Sequence, residues 1–239
     1  MSELIVLNPG HTKTDDRGFL GPETEGSNNR KVVAIMKDYL ETNYVCEVKV
    51  VEQPSTPFSK LGSKYPNATL FYSRHSNAFR GVGKGTEVFY HYGRTLAQDI
   101  SIATAKILET VTRGNDKGAR RNSDQFNGAG YSVINQAVKA GVKYQLMAEI
   151  GFHDNPKENK LMVEKRKELA TAEAEAIAKY LKLKVKPKPV VEDKKEVNTA
   201  IVYRVVVGSS ANKDNAEELQ AKLKKAGFTS FLAAYDTKK

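Results

Sequence analysis

Five short apolar runs, closed by glycine, proline or polar residues and separated by stretches of helical period, restrict this chain to an alternating α/β architecture. The runs are Leu4–Leu7, Cys46–Val51, Thr69–Ser73, Thr86–Tyr90 and Val142–Ala148. Between them, about Ser27–Glu41 places Val33, Met36 and Leu40 near one face, and about Thr95–Thr112 does the same with Leu96, Ile100, Ala103 and Ile107. A third helical stretch, roughly Pro156–Leu181, is alanine-rich and interrupted near Arg166. The pattern predicts a single twisted, mostly parallel sheet flanked by helices.

The character changes at Leu183–Asn198, where two prolines among lysines and glutamates form no core and read as an extended linker. Beyond it, Ile201–Val207 alternates as a strand, Asn215–Ala226 reads as a helix stopped by Gly227, and Thr229–Ala234 reads as a second strand. The expected organisation is a domain over 1–182, a linker over 183–198 and a small β-α-β unit over 199–239.

The chain has 239 residues and 40% apolar content, enough for one full core. Its net charge of +10 favours polyanionic partners. Residues 183–239 hold 12 Lys+Arg against 7 Asp+Glu, and so supply half of that surplus. The basic residues are scattered and accompany no nucleic-acid motif, so no nucleic-acid partner is expected. Cys46 is the only cysteine, which excludes an internal disulfide. No run approaches the roughly 18 apolar residues of a membrane helix, and no signal-peptide pattern opens the chain. The expectation is synthesis in a cytoplasm, with no membrane partner.

Four polar residues stand at the ends of the expected elements. His11 follows Leu4-Ile-Val-Leu through the turn Asn8-Pro9-Gly10, Glu25 opens the first helix, His75 ends Leu70-Phe-Tyr-Ser-Arg, and Glu149 ends Tyr144-Gln-Leu-Met-Ala. Open α/β sheets bind ligands at the carboxyl edge of their strands. Two histidines and one carboxylate make a zinc set that leaves a coordination position for water, and a further glutamate supplies a base. Each residue also has an ordinary reading. Glu25 suits a helix N-terminus, His75 can bond to Ser73 or Asn77, and a loop histidine such as His11 is commonly polar surface. Glu149 is harder to dismiss, because burying a carboxylate without a partner is costly. Sequence spacing alone leaves their convergence open.

Five ordered blocks then resemble the zinc-dependent N-acetylmuramoyl-L-alanine amidases of phage endolysins and bacterial autolysins, over about residues 3–181. They are Pro9-Gly10-His11, Glu25 with Asn28-Asn29, Ser73-Arg-His75-Ser-Asn77-Ala78, Gly85-Thr-Glu87-Val-Phe-Tyr, and Glu149-Ile-Gly-Phe-His-Asp-Asn155. The resemblance implies Zn2+ as cofactor, with His11, Glu25 and His75 as its ligands and Glu149 as the catalytic residue. The chain departs from the family at Asn8, where aspartate is usual, at Thr12-Lys13, where glycines are usual, and at His153-Asp154, which replace an apolar-serine pair. The segment Arg113–Asn135 matches weakly and is expected to be a substrate-facing loop, where Arg120 or Arg121 could meet a peptide carboxylate. The C-terminal unit is similar to one repeat of the sporulation-related peptidoglycan-binding domain, which normally has two.

The resemblance implies a peptidoglycan hydrolase that cuts between N-acetylmuramic acid and the L-alanine of the stem peptide. The expected role is that of a phage endolysin acting on the wall after release. A mother-cell lytic amidase, a zinc peptidase acting on the stem peptide and a catalytically silent wall-binding protein are the alternatives. Peptidoglycan and anionic wall polymers are the expected partners. A homodimer is also expected, through the unpaired edge of the C-terminal half-repeat.

Overall fold

The computed structural model describes residues 2–12, 23–187, 212–227 and 232. Two compact units divide the chain, residues 1–188 and 189–239. The first contains a six-stranded sheet in the order β2-β1-β3-β6-β4-β5, built from β1 (Glu3–Pro9), β2 (Cys46–Val50), β3 (Leu70–Asn77), β4 (Thr86–Tyr90), β5 (Ala119–Arg121) and β6 (Tyr144–Phe152). Every neighbouring pair is parallel except β4 and β6, so the expected mostly parallel α/β sheet is the observed one.

Period-two alternation sorts the strand side chains onto two faces. Ile5, Leu7, Leu70, Tyr72, Val88, Leu146 and Ala148 join one core cluster with helices α1 (Glu25–Asn43), α2 (Arg94–Ile107) and α5 (Arg166–Tyr180). The opposite face carries Val6, Phe71, Phe89 and Met147 against Val133, Ile134 and Ala137 of α3 (Ser132–Lys139). Helix α1 is capped by the Thr24 hydroxyl, which accepts from Ser27 N at 3.0 Å. The small residues Ala170, Ala174 and Ala178 belong to the same core, and α5 packs against α1 and α2.

Several boundaries differ from the sequence expectation. β3 continues to Asn77 and β6 to Phe152, so His75 and Glu149 lie inside strands and not at their ends. Their polar side chains interrupt the apolar pattern, but the backbone ladder pairs His75 with Glu149 and breaks register only between His75 and Asn77. The helix expected to reach Thr112 stops at Ile107. There Glu109 turns left-handed, and the chain pairs back onto β4 through Thr86 N→Val111 O at 2.9 Å and Arg113 N→Thr86 O at 2.9 Å. The segment Arg113–Asn135, expected as a loop, contains β5 and the start of α3. The long third helix is divided at Lys165 into α4 (Pro156–Glu164) and α5.

The pairing of this unit extends past the expected linker start at Leu183. Leu183 is buried, Val185 bridges Tyr44, and Lys186 N donates to Asn43 O at 2.8 Å. In the second unit, α6 spans Lys213–Lys225, where a helix over Asn215–Ala226 was expected. The strand expected at Ile201–Val207 lies outside the described residues, as does Thr229–Ala234 apart from Leu232. Among the described residues, no helix is long and apolar enough to cross a membrane.

Candidate metal centre

The carboxyl ends of β1, β3 and β6 and the N-terminus of α1 meet at one crevice. Leaving β1, Gly10 N donates to Arg74 O at 2.9 Å. A Cβ on Gly10 would stand 2.2–2.5 Å from the ring atoms of His75, so this glycine makes room for the imidazole of the next strand. His11 follows in the left-handed region, at φ 64°. L-residues rarely adopt that conformation, and here Arg30 holds it by donating from Nη2 to the His11 carbonyl at 3.1 Å.

Glu25, the first residue of α1, is buried and central. Its Oε1 accepts from Ser76 N at 2.9 Å and from Asn29 Nδ2 at 3.3 Å. Nε2 of His11 lies 3.3 Å from Oε2, and Nδ1 of His75 lies 3.6 Å from Oε1. Burial works against ionisation of Glu25. The hydrogen bond and charge of His75, the charge of His11 and the Ser76 N–H outweigh it and bring the carboxyl down to about 2.

His11, Glu25 and His75 each offer one ligand atom, all within 4.8 Å of one another. The two imidazoles face the two oxygens of one carboxylate, His11 at 3.3 Å from Oε2 and His75 at 3.6 Å from Oε1, so the donor set fits the ion in chemistry and converges on one point. Supporting groups hold the set from behind. Nε2 of His75 lies 3.1 Å from Ser73 Oγ, the Ser73 hydroxyl donates to Asn8 Oδ1 at 2.7 Å, and Asn8 Nδ2 donates to Val51 O at 2.7 Å. On the other side, fully buried Arg74 donates to Asn29 Oδ1 and lies 3.7 Å from Glu173, whose other oxygen accepts from Tyr72 OH at 2.6 Å. His153 also approaches Glu25, its Nδ1 being 3.6 Å from Oε2 and 3.0 Å from the Ser76 carbonyl.

Glu149 stands beside His75 in register on β6, with Glu87 of β4 on its far side. The residue keeps some surface open to the crevice, but its Oε2 is sealed from solvent and makes no hydrogen bond. Burial, reinforced by the Glu25 and Glu87 carboxylates, holds its carboxyl well above the ordinary range, with Arg74 acting in the opposite sense. An orphaned buried carboxyl next to a metal donor set is an acid or base awaiting a charged neighbour.

All four residues expected from the sequence therefore share one crevice. Sequence reasoning named Ser73 as a partner for His75 and Arg120 or Arg121 as a carboxylate contact, but gave no role to the Asn8 amide, to Arg74 or to Glu87. Ser73, Arg74 and Glu87 lay inside the quoted blocks, and Asn8 showed itself as a departure. Nothing in the sequence pattern marked Arg113.

An open α/β sheet with this donor set and a buried carboxyl at its edge defines a candidate metallohydrolase centre. A family model described as N-acetylmuramoyl-L-alanine amidase matches residues 5–179, and a SPOR domain model matches residues 170–234. The chain belongs to the N-acetylmuramoyl-L-alanine amidase family and carries a C-terminal SPOR domain. The two matches overlap at 170–179, residues that α5 commits to the core of the first unit.

Similar solved structures include a protein from Neisseria meningitidis described as an N-acetylmuramoyl-L-alanine amidase, with TM-score 0.63, 22% identity, and coverage of 77% of this chain and 98% of that one. The catalytic domain of the amidase CwlV from Bacillus (Paenibacillus) polymyxa var. colistinus gives 0.59 and 21%, covering 76% and 99%. The amidase AmiC2 of Nostoc punctiforme gives 0.54 and 24%, covering 75% and 97%. At these identities the likeness shows the fold. No curated protein matches this chain.

Proposed function

We propose that this chain is a zinc-dependent hydrolase of peptidoglycan, cutting the amide between the lactyl group of N-acetylmuramic acid and the L-alanine of the stem peptide. The observation that carries this reading is the convergence of His11, Glu25 and His75, with ligand atoms within 4.8 Å of one another, beside the unbonded Oε2 of Glu149. A bound zinc ion supplies a Lewis acid that polarises the scissile carbonyl and acidifies water. Glu149 takes the proton from the attacking water and passes it to the leaving nitrogen of L-alanine, a role that needs a carboxyl with no other partner. Ser76 N and Asn29 fix the plane of the Glu25 carboxylate, and Ser73 fixes the ring of His75, so the donors are oriented before substrate arrives.

The second unit is proposed to hold the enzyme on the wall. Its helix carries Lys222, Lys224 and Lys225 in the last turn, and cationic surface suits anionic wall polymers. In the cell the proposed role is lysis of a bacterial host from within, as an endolysin that starts in the cytoplasm and reaches the wall after release. The test of the chemistry is digestion of purified peptidoglycan followed by mass spectrometry. Stem peptides with a new L-alanine amino terminus, lost on chelation and restored by zinc, are expected. Release of free amino acids would point to a peptidase, and unchanged peptidoglycan to a wall-binding protein without activity.

A further inference from the structure

The row of side chains that begins at His75 and Glu149 continues across β4 to two arginines that the hydrolytic chemistry leaves unused. Glu87 is buried; it accepts from Arg120 Nη1 at 2.7 Å and from Asn77 Nδ2 at 3.0 Å, and Arg113 Nε lies 3.2 Å from it as an ion pair without a hydrogen bond. Two guanidiniums on one carboxylate leave a local surplus of positive charge. Each has five N–H donors. Glu87 accepts one from Arg120, and the Lys84 carbonyl accepts one from Arg113 Nη1 at 3.3 Å. The side chains remain 37% and 40% exposed, so the rest of both forks lies at the surface. Their planes are steadied by aromatic faces, Arg113 4.9 Å over the Phe152 ring and Arg120 5.7 Å over Phe89.

Tyr131 ties this pair to the crevice. Burial first, and then the carboxylates of Glu149 and Glu87, push its phenol up to about 12, while Arg120 acts the other way. Its ring lies 4.8 Å from that of Phe89, the ring beneath Arg120. Distance then selects what the arginines can reach. Neighbouring strands lie about 4.8 Å apart, which puts Glu87 about 10 Å across the sheet from His75. An extended peptide advances about 3.3–3.6 Å per residue. From a scissile carbonyl held beside His75 and Glu149, the α-carbon of the second stem residue is therefore about 7 Å away. A group on that carbon falls within the reach of a guanidinium anchored at Glu87. A residue linked onward through its side-chain carboxyl leaves its α-carboxylate free at that point.

We propose that Arg113 and Arg120 form a carboxylate-binding subsite that reads the free α-carboxylate of the second stem residue. The subsite rests on the amidase reading above and extends it to substrate preference. Arginine forks match carboxylates in shape and charge, whereas an α-carboxamide offers a weaker acceptor and no charge.

The test compares two substrates on the full-length, zinc-loaded protein: N-acetylmuramoyl-L-alanyl-D-glutamate and its α-amide, N-acetylmuramoyl-L-alanyl-D-isoglutamine. The acid should be cleaved with a kcat/KM about 10–100-fold higher, the scale of hydrogen bonds to a charged group. In Arg120→Gln and in Arg113→Gln, the acid should fall towards the rate of the amide while the amide stays within about threefold. Loss of fold or of zinc would lower both substrates together. Arg121→Gln, on the same strand but exposed, is the control and should keep the preference. Equal cleavage of both substrates by the unaltered protein overturns the subsite and leaves the amidase reading intact. A preference that survives in both variants also overturns it. Cleavage of neither substrate, while peptidoglycan also stays intact, removes the amidase reading and the subsite together.

Discussion

The imidazole of His75 reaches Asn8 through a single hydroxyl: Nε2 lies 3.1 Å from Ser73 Oγ, and Ser73 donates to Asn8 Oδ1 over 2.7 Å. The direction of this chain is set at its far end. The Val51 carbonyl can only accept, so the amide nitrogen of Asn8 must face it, which turns the amide oxygen towards Ser73. The serine proton is then committed to Asn8, and Ser73 Oγ must accept from His75 Nε2–H. With Nε2–H committed to Ser73, Nδ1, the nitrogen that faces Glu25, is the one that gives up its proton to a bound metal. Asn8→Leu frees the Ser73 proton to donate to Nε2 and removes that commitment. The expected result is zinc affinity weakened about 10–100-fold, the usual scale for such partners. Unchanged zinc affinity would refute the relay.

Glu149→Gln should separate catalysis from stability. Turnover should fall about 10²–10⁴-fold with zinc still bound, because only the proton carrier is lost. The stability of the zinc-free protein should move the other way. The Glu149 carboxyl is held above its ordinary value in the fold, so the folded state keeps a proton that the unfolded chain releases. Native stability is therefore lost as pH rises from about 4.3, the unperturbed glutamate value, through the raised folded value. Glutamine carries no such penalty. At neutral pH the variant's zinc-free melting point should be higher by about 2–4 °C for each kcal/mol relieved, and the gain should vanish near pH 4. Thermal melts across pH read this directly, and near-normal lysis by the zinc-loaded variant would remove the proposed role.

Arg74 has no exposed surface, and its loss should be felt in the core before it is felt in catalysis. Arg74→Met leaves Glu173 buried without its cation, a change that costs about 3–5 kcal/mol. Adding Glu173→Gln removes the stranded charge while keeping an acceptor for Tyr72, and should recover a substantial part of that loss. Urea unfolding of the single and double variants measures the difference. Additive losses would show that the two residues are not coupled.

The boundary between the units makes a further prediction. Residues 1–188 should fold and cleave soluble muropeptides, since every site residue and the Tyr44–Val185 pairing are retained. Ending the chain at 182 removes that pairing and the buried Leu183, and should lower the melting point. The 1–188 fragment should pellet less with intact walls than the full chain. If the second unit pairs between copies, light scattering should find a dimer for the full chain and a monomer for the fragment. Equal pelleting would end the wall-binding role, and a full-length monomer at every concentration would end the pairing.

What the sequence determined by itself was local. The runs Leu4–Leu7 and Thr86–Tyr90 identify strands because their buried neighbours are contiguous in the chain, and the interruption near Arg166 was visible for the same reason. His75 and Glu149 were legible as polar groups closing apolar runs, His11 by the turn that follows β1, and Glu25 by its place at a helix start. Tertiary structure decided everything that depends on register. β3 and β6 run on through His75 and Glu149 because the ladder pairs backbones regardless of side-chain polarity, and that pairing places the carboxyl beside the imidazole. The short strand β5 was hidden among charged residues, since Arg120 is held by Glu87, 33 positions earlier, and not by an apolar neighbour. Gly10 reads in sequence as a turn residue, but its necessity comes from the ring of His75, which only the fold brings against it.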